Sequence, residues 1–78
     1  MAVLRLFASA REAAGTGRAE LHGETVAAVL EAAREAFGDQ FVAVLPTCRI
    51  WLNGETVAET TTVGAGDEIA VLPPVSGG

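Results

Sequence analysis

The sequence has no lysine and no tyrosine, and one residue each of cysteine, histidine, methionine and tryptophan among its 78 positions. Each shortage removes a class of chemistry. A lone Cys48 cannot close an internal disulfide, and with His22 as the sole imidazole there is no ligand spacing for a transition-metal site. Without lysine the chain has no side-chain amine for a Schiff base and none to reach a phosphate. Gly64-Ala65-Gly66 precedes a strand-like run instead of a helix and lacks a third glycine, so it reads as a turn and not as a nucleotide loop. Positive charge is scarce: five arginines face ten acidic residues, for a net charge of −5. That balance makes nucleic acid and anionic membrane poor partners and a basic cleft on another protein a better one. No apolar stretch preceded by positive charge opens the sequence, which with the single cysteine gives the expectation of a cytoplasmic protein.

What is present suffices for one small domain spanning residues 1–78. Half of the residues are apolar, but 15 of these are alanine, so the core must be built from few large side chains. A chain of this length has little room for an internal catalytic cavity, and function should sit on the surface or at an end. His22 reads as an exposed bystander in an edge strand. Cys48, just before a strand, reads as a small half-buried hydrophobe, with a persulfide carrier as the other reading.

The order of elements is ββαβββ. Val3-Leu4-Arg5-Leu6-Phe7 is rich in strand formers, and Ser9 to Ala14 predicts one helical turn before a loop closed by Gly15 and Gly17. Ala19-Glu20-Leu21-His22 alternates and should return antiparallel to the first strand, at an edge. Thr25 is placed to cap a helix whose apolar stripe is Val26, Val29, Leu30, Ala33 and Phe37, with Gly38 ending it in the left-handed conformation. Asp39 to Leu45 shows no clean period before Pro46 and reads as loop with a turn of helix at most. Asn53-Gly54 between Arg49–Leu52 and Glu55–Val57 predicts a type I′ hairpin, and Glu68–Leu72 is the last strand. The sum is an α+β domain with one main helix against one sheet, the helix being a crossover long enough to set the last strand parallel to the first.

The carboxy-terminal sequence Pro73-Pro74-Val75-Ser76-Gly77-Gly78 carries the remaining chemistry. Two prolines stop the last strand and stiffen its exit, and the projecting residues end in a pair with no side chains, able to thread a narrow tunnel. At an average glycine usage of about 7%, such a pair arises by chance in about one chain in two hundred. A projecting glycine offers one group, its carboxylate. Transfer of AMP from ATP makes that carboxylate an acyl adenylate, which a sulfur nucleophile converts to a thiocarboxylate, with every catalytic group supplied by another protein.

Taken together, Leu6-Phe7-Ala8-Ser9-Ala10-Arg11-Glu12-Ala13-Ala14-Gly15, Val26 to Leu30, Asn53-Gly54 and Gly66-Asp67-Glu68-Ile69-Ala70 running into Leu72-Pro73-Pro74-Val75-Ser76-Gly77-Gly78 resemble the small subunit of molybdopterin synthase, the MoaD type within the MoaD/ThiS sulfur carriers. The resemblance implies a ubiquitin-like β-grasp fold, a mixed sheet of about five strands on one helix with a flexible Gly-Gly tail. It implies adenylation and thiocarboxylation at Gly78, with Gly77, Ser76 and Val75 threading into a partner. It also implies that Phe7, Arg11, Leu72, Pro73 and Pro74 lie at the partner-binding surface, core packing being the alternative for Phe7 and Leu72 and a solvated charge for Arg11. The partners implied are a MoaE-type large subunit, a ubiquitin-activating-type adenylyltransferase and a sulfur donor such as a sulfurtransferase or cysteine desulfurase. No cofactor is expected to be bound, ATP being used by the activating partner, and the chain on its own is expected to be a sulfur donor to cyclic pyranopterin monophosphate and not an enzyme. Related carriers serve thiamine thiazole, cysteine or natural-product sulfur insertion. A modifier forming isopeptide bonds and a chemically silent interaction module are further readings.

Overall fold

Alternation of small and large apolar residues with polar ones makes β1 (Ala2–Leu6) a strand with two unlike faces: Ala2, Leu4 and Leu6 are buried while Val3 and Arg5 face outward. In the computed structural model, which describes residues 1–74, this strand is followed by α1 (Ala8–Ala14), β2 (Arg18–Leu21), α2 (Val26–Phe37) and α3 (Asp39–Val44). A 3₁₀ turn (Leu45–Thr47) then leads to β3 (Arg49–Leu52), β4 (Glu55–Thr56) and β5 (Glu68–Leu72). The sheet order is β2-β1-β5-β3-β4, with β5 parallel to β1 and every other pair antiparallel. The crossover that parallel pairing requires is supplied by α2, which covers one face of the sheet. This is the mixed five-stranded β-grasp arrangement that the resemblance implied.

The α2 helix forms where expected. The Thr25 hydroxyl accepts a hydrogen bond from the Ala28 N–H at 3.1 Å, and Val26, Val29, Leu30 and Ala33 are buried against the sheet. Its remaining amino-terminal donors are taken by the loop before β5, where Val26 N–H donates to the Thr61 carbonyl and Ala27 N–H to that of Glu59. The long connection between β4 and β5 is thereby fastened to the helix.

Four local expectations are corrected. The first helix runs for seven residues instead of one turn, because Phe7 supplies an extended start and Gly15, at φ 79°, accepts the left-handed end. Gly38 stops α2 with positive φ, but its ψ of −167° is not left-handed helix. The chain must begin α3 at the next residue, so Gly38 is at once the end of one helix and the start of another. The segment from Asp39 is therefore a helix and a 3₁₀ turn, held by Phe41, which is fully buried and meets Phe37 edge-on at 5.2 Å. His22 lies one residue past the end of β2, where it is exposed.

The hairpin turn is as expected, with Asn53 at φ 50° and Gly54 at φ 87°. Asn53 does more than turn the chain: its side chain donates to Asp67 and accepts from the Glu68 N–H at 2.9 Å. Asp67 also accepts from the Gly64 N–H at 2.8 Å, and these bonds hold its carboxyl below the usual carboxylate range.

Three outcomes follow. Phe41→Ala should cost about 3–5 kcal/mol, read as a drop in the urea midpoint, because a fully buried ring in a small core leaves a cavity. Gly38→Ala should cost about 1–3 kcal/mol although nothing lies within 4 Å of the added methyl, since that backbone region is open essentially to glycine alone. Asp67 is better disposed to be ionised in the folded chain than in the unfolded one. Its contribution is complete above the unfolded-state value and is lost as acid titrates it below that, so Asp67→Ala should flatten the acid limb of stability against pH.

Candidate functional site

The exit of β5 is the best-positioned point on the surface. β5 is the central strand, pairing Leu6 of β1 with Val71 on one side and Arg49 of β3 with Leu72 on the other. Pro73 and Pro74 have no N–H to continue either ladder, so the chain leaves the middle of the sheet just after Leu72. Pro73 is half-buried and Pro74 exposed. The expected threading residues Val75, Ser76 and Gly77, and the expected reactive Gly78, lie outside the described residues.

Phe7 and Leu72 are brought together. The Phe7 N–H donates to the Val71 carbonyl at 3.3 Å, which continues the β1–β5 register by one step and sets Phe7 alongside Leu72. Core packing, the alternative for Phe7, is not what the fold gives it: the residue is 41% exposed, on the sheet face away from α2. Leu72 is half-buried on the same face. Arg11 stands one helical turn beyond Phe7, whose carbonyl accepts its N–H. It is exposed, with its Nε close over Gly17 at the edge of an open depression shared with Glu12 and Thr16. Phe7, Leu72 and Pro73 thus cluster around the chain exit, while Arg11 lies off to the α1 side.

Sequence reasoning missed Arg49 and Trp51 as surface residues. In β3 the inward residue is Leu52, so Arg49 and Trp51 both face away from the core, and Trp51 is 37% exposed. The period-2 pattern of Arg49-Ile50-Trp51-Leu52 carries that signal once Leu52 is assigned to the core. Cys48 is half-buried and its thiol donates to the Val44 carbonyl at 3.4 Å. Burial pushes its pKa up, with a smaller opposing pull from Thr47, so the thiol stays protonated at neutral pH and is a poor nucleophile. Among the described residues no cluster of three or more His, Cys, Asp or Glu could hold a metal, and no helix is long and apolar enough to cross a membrane. The chemistry this arrangement supports is presentation: a strand paired on both edges delivers the chain at Pro73 and Pro74 beside an aromatic and aliphatic patch.

Comparison with known proteins bears on the family and the fold. The ThiS family model matches residues 4–78, nearly the whole chain. No curated protein sequence matches it. Among solved structures, small archaeal modifier protein 1 from Haloferax volcanii is 33% identical over 99% of this chain and 98% of that one, with a TM-score of 0.83. The solution structure of small archaeal modifier protein 1 from Methanosarcina acetivorans is 31% identical, with coverages of 99% and 95% and a TM-score of 0.86. The complex of subunits 1 and 2 of the molybdopterin-converting factor from Helicobacter pylori matches at 23% identity, with coverages of 99% and 97% and a TM-score of 0.76, a likeness of fold. The fold is a ubiquitin-like β-grasp, and the chain belongs to the ThiS family.

Proposed function

We propose that the chain is a sulfur carrier acting in the cytoplasm through the carboxylate of Gly78, as the small subunit of a molybdopterin synthase. In this reading a ubiquitin-activating-type enzyme uses ATP to adenylate Gly78, releasing pyrophosphate. A sulfurtransferase or cysteine desulfurase then presents a persulfide whose terminal sulfur displaces AMP, and a second thiol cleaves the resulting acyl disulfide, releasing the thiocarboxylate and leaving a disulfide on the donor. Val75, Ser76 and Gly77 thread into a MoaE-type large subunit, where sulfur passes to cyclic pyranopterin monophosphate. Phe7, Leu72, Pro73, Pro74 and Arg11 form the surface that docks the carrier. The observation that carries the reading is the central-strand exit: Leu72 is paired on β3 and stands beside Phe7, and the sequence that follows is the Pro-Pro-Val-Ser-Gly-Gly of the MoaD resemblance.

A second reading is a protein modifier, which shares the activation step and joins Gly78 to a lysine of a target. It is favoured by the 33% and 31% identities to the small archaeal modifier proteins, which exceed the 23% to the molybdopterin-converting factor complex. The absence of lysine would prevent self-chains through lysine.

With ATP, an activating enzyme and a sulfur donor, the intact mass should rise by one oxygen-to-sulfur exchange, and adding a large subunit and cyclic pyranopterin monophosphate should yield molybdopterin. Removing Gly77-Gly78 should abolish both while the far-ultraviolet circular dichroism is retained, because the last strand ends at Leu72. Sulfur transfer that survives the truncation defeats the sulfur-carrier reading, and higher-mass lysine conjugates in place of molybdopterin select the modifier.

A further inference from the structure

The face of the sheet opposite α2 has a charge unlike that of the whole chain. Strand alternation places Arg18 and Glu20 of β2, Val3 and Arg5 of β1, Glu68, Ala70 and Leu72 of β5, and Arg49 and Trp51 of β3 on it. The register aligns Arg18, Arg5, Ala70 and Trp51 as one row across four strands, with Leu72 and Arg49 paired in the next. Three of the five arginines lie here but only two of the ten acidic residues, and one of those, Glu68, is 3.6 Å from Arg5. Arg18 and Arg49 pair with no carboxylate among the described residues. This face, with three arginines and two glutamates, therefore carries +1, and the remaining two arginines and eight acidic residues carry −6 elsewhere.

Apolar exposure coincides with the arginines. Of the four large hydrophobic residues exposed among the described residues, Phe7 and Trp51 sit on this face, with Ala70 between Arg5 and Trp51 in the row and Leu72 beside Phe7. Tryptophan and arginine are the residues that carry most energy in protein interfaces, and arginine's planar fork suits carboxylates. An exposed Trp51 that the core does not need, in a row with arginines, has the composition of an interface centre with a charged rim.

We propose that this face docks a protein partner whose matching surface is acidic around an apolar centre, with Trp51 as the buried anchor and Arg5, Arg18 and Arg49 as the charges that select the partner. The sign is opposite to the one the net charge suggested. This rests on the reading above that the chain acts through a larger partner, and it adds that partner's chemistry. A phosphate backbone fits less well, because Glu20 and Glu68 share the face and the rest of the chain is acidic.

The test measures binding of the full chain to the large synthase subunit and to the activating enzyme, by calorimetry over a series of salt concentrations. Trp51→Ala should weaken binding about tenfold or more, as expected for an interfacial anchor, and Arg18→Glu with Arg49→Glu should weaken it further and remove the salt dependence. Arg34→Glu, on α2 away from this face, should leave binding within about twofold. The native fold of each variant is checked by circular dichroism. Equal or tighter binding by the charge-reversed variant, or no loss with Trp51→Ala, overturns the proposal. If neither protein binds the wild type, the synthase reading falls, and the surface is decided separately by nuclear magnetic resonance. Shifts confined to this face on adding a glutamate- and leucine-rich peptide then support the proposal. Shifts there only with a lysine-rich peptide or a single-stranded oligonucleotide, or none with any probe, overturn it.

Discussion

The double pairing of β5 is the constraint from which the rest of the molecule follows. Without it the chain would hold two ribbons, β1 with β2 and β3 with β4, and isolated two-stranded ribbons are marginal in water. Inserted between them, β5 completes the sheet and brings Ile69 and Val71 beside Leu4 and Leu6, all fully or almost fully buried under α2. The strand that closes the core is also the one from which the chain departs. The chain at Pro73 thus leaves from a strand that is hydrogen-bonded on both edges and buried on one face.

The same pairing divides the surface. Residues of one parity in β1, β3 and β5 go to the core, and those of the other parity form the open face, so the composition of that face is set by register. Eight of the ten acidic residues lie off that face, whereas three of the five arginines lie on it with Phe7 and Trp51. A net charge of −5 describes long-range repulsion, whereas a partner docking on the sheet would meet the local charge of that face.

Elements with a strong local cause were legible in the sequence: Thr25 capping α2, the 3.6-residue stripe from Val26, the Asn53-Gly54 turn and the β-rich run ending at Pro73. The segment from Asp39 was not, because Phe41 and Leu45 are held by packing against the core and not by a periodic face of their own. Gly38 hid the junction: a glycine after a helical stripe normally signals an ending, and here it joins two helices. At the site, Phe7, Leu72 and the prolines were found through motif resemblance, which could not say that Phe7 would be exposed. Trp51 was passed over because a tryptophan in a four-residue strand reads as core until the inward residue is known to be Leu52.

That assignment depends on the turn. A slip of one residue in β3 would carry Trp51 into the space under α2 and expose Leu52, and the apolar character of both would resist it weakly. Asn53 supplies the missing discrimination. Its backbone N–H donates to the Glu68 carbonyl at 2.8 Å, and its side-chain oxygen accepts from the Glu68 N–H, so both backbone groups of Glu68 are taken by this one residue. Asp67 holds the side-chain amide from the other direction while bracing the Gly64 turn. Glycine at position 53 would keep the positive φ of the turn and the backbone bond to the Glu68 carbonyl, and lose the side-chain half of the clamp. A turn whose glycine neighbour solves the backbone problem thus uses its asparagine to fix which side of the sheet Arg49 and Trp51 face.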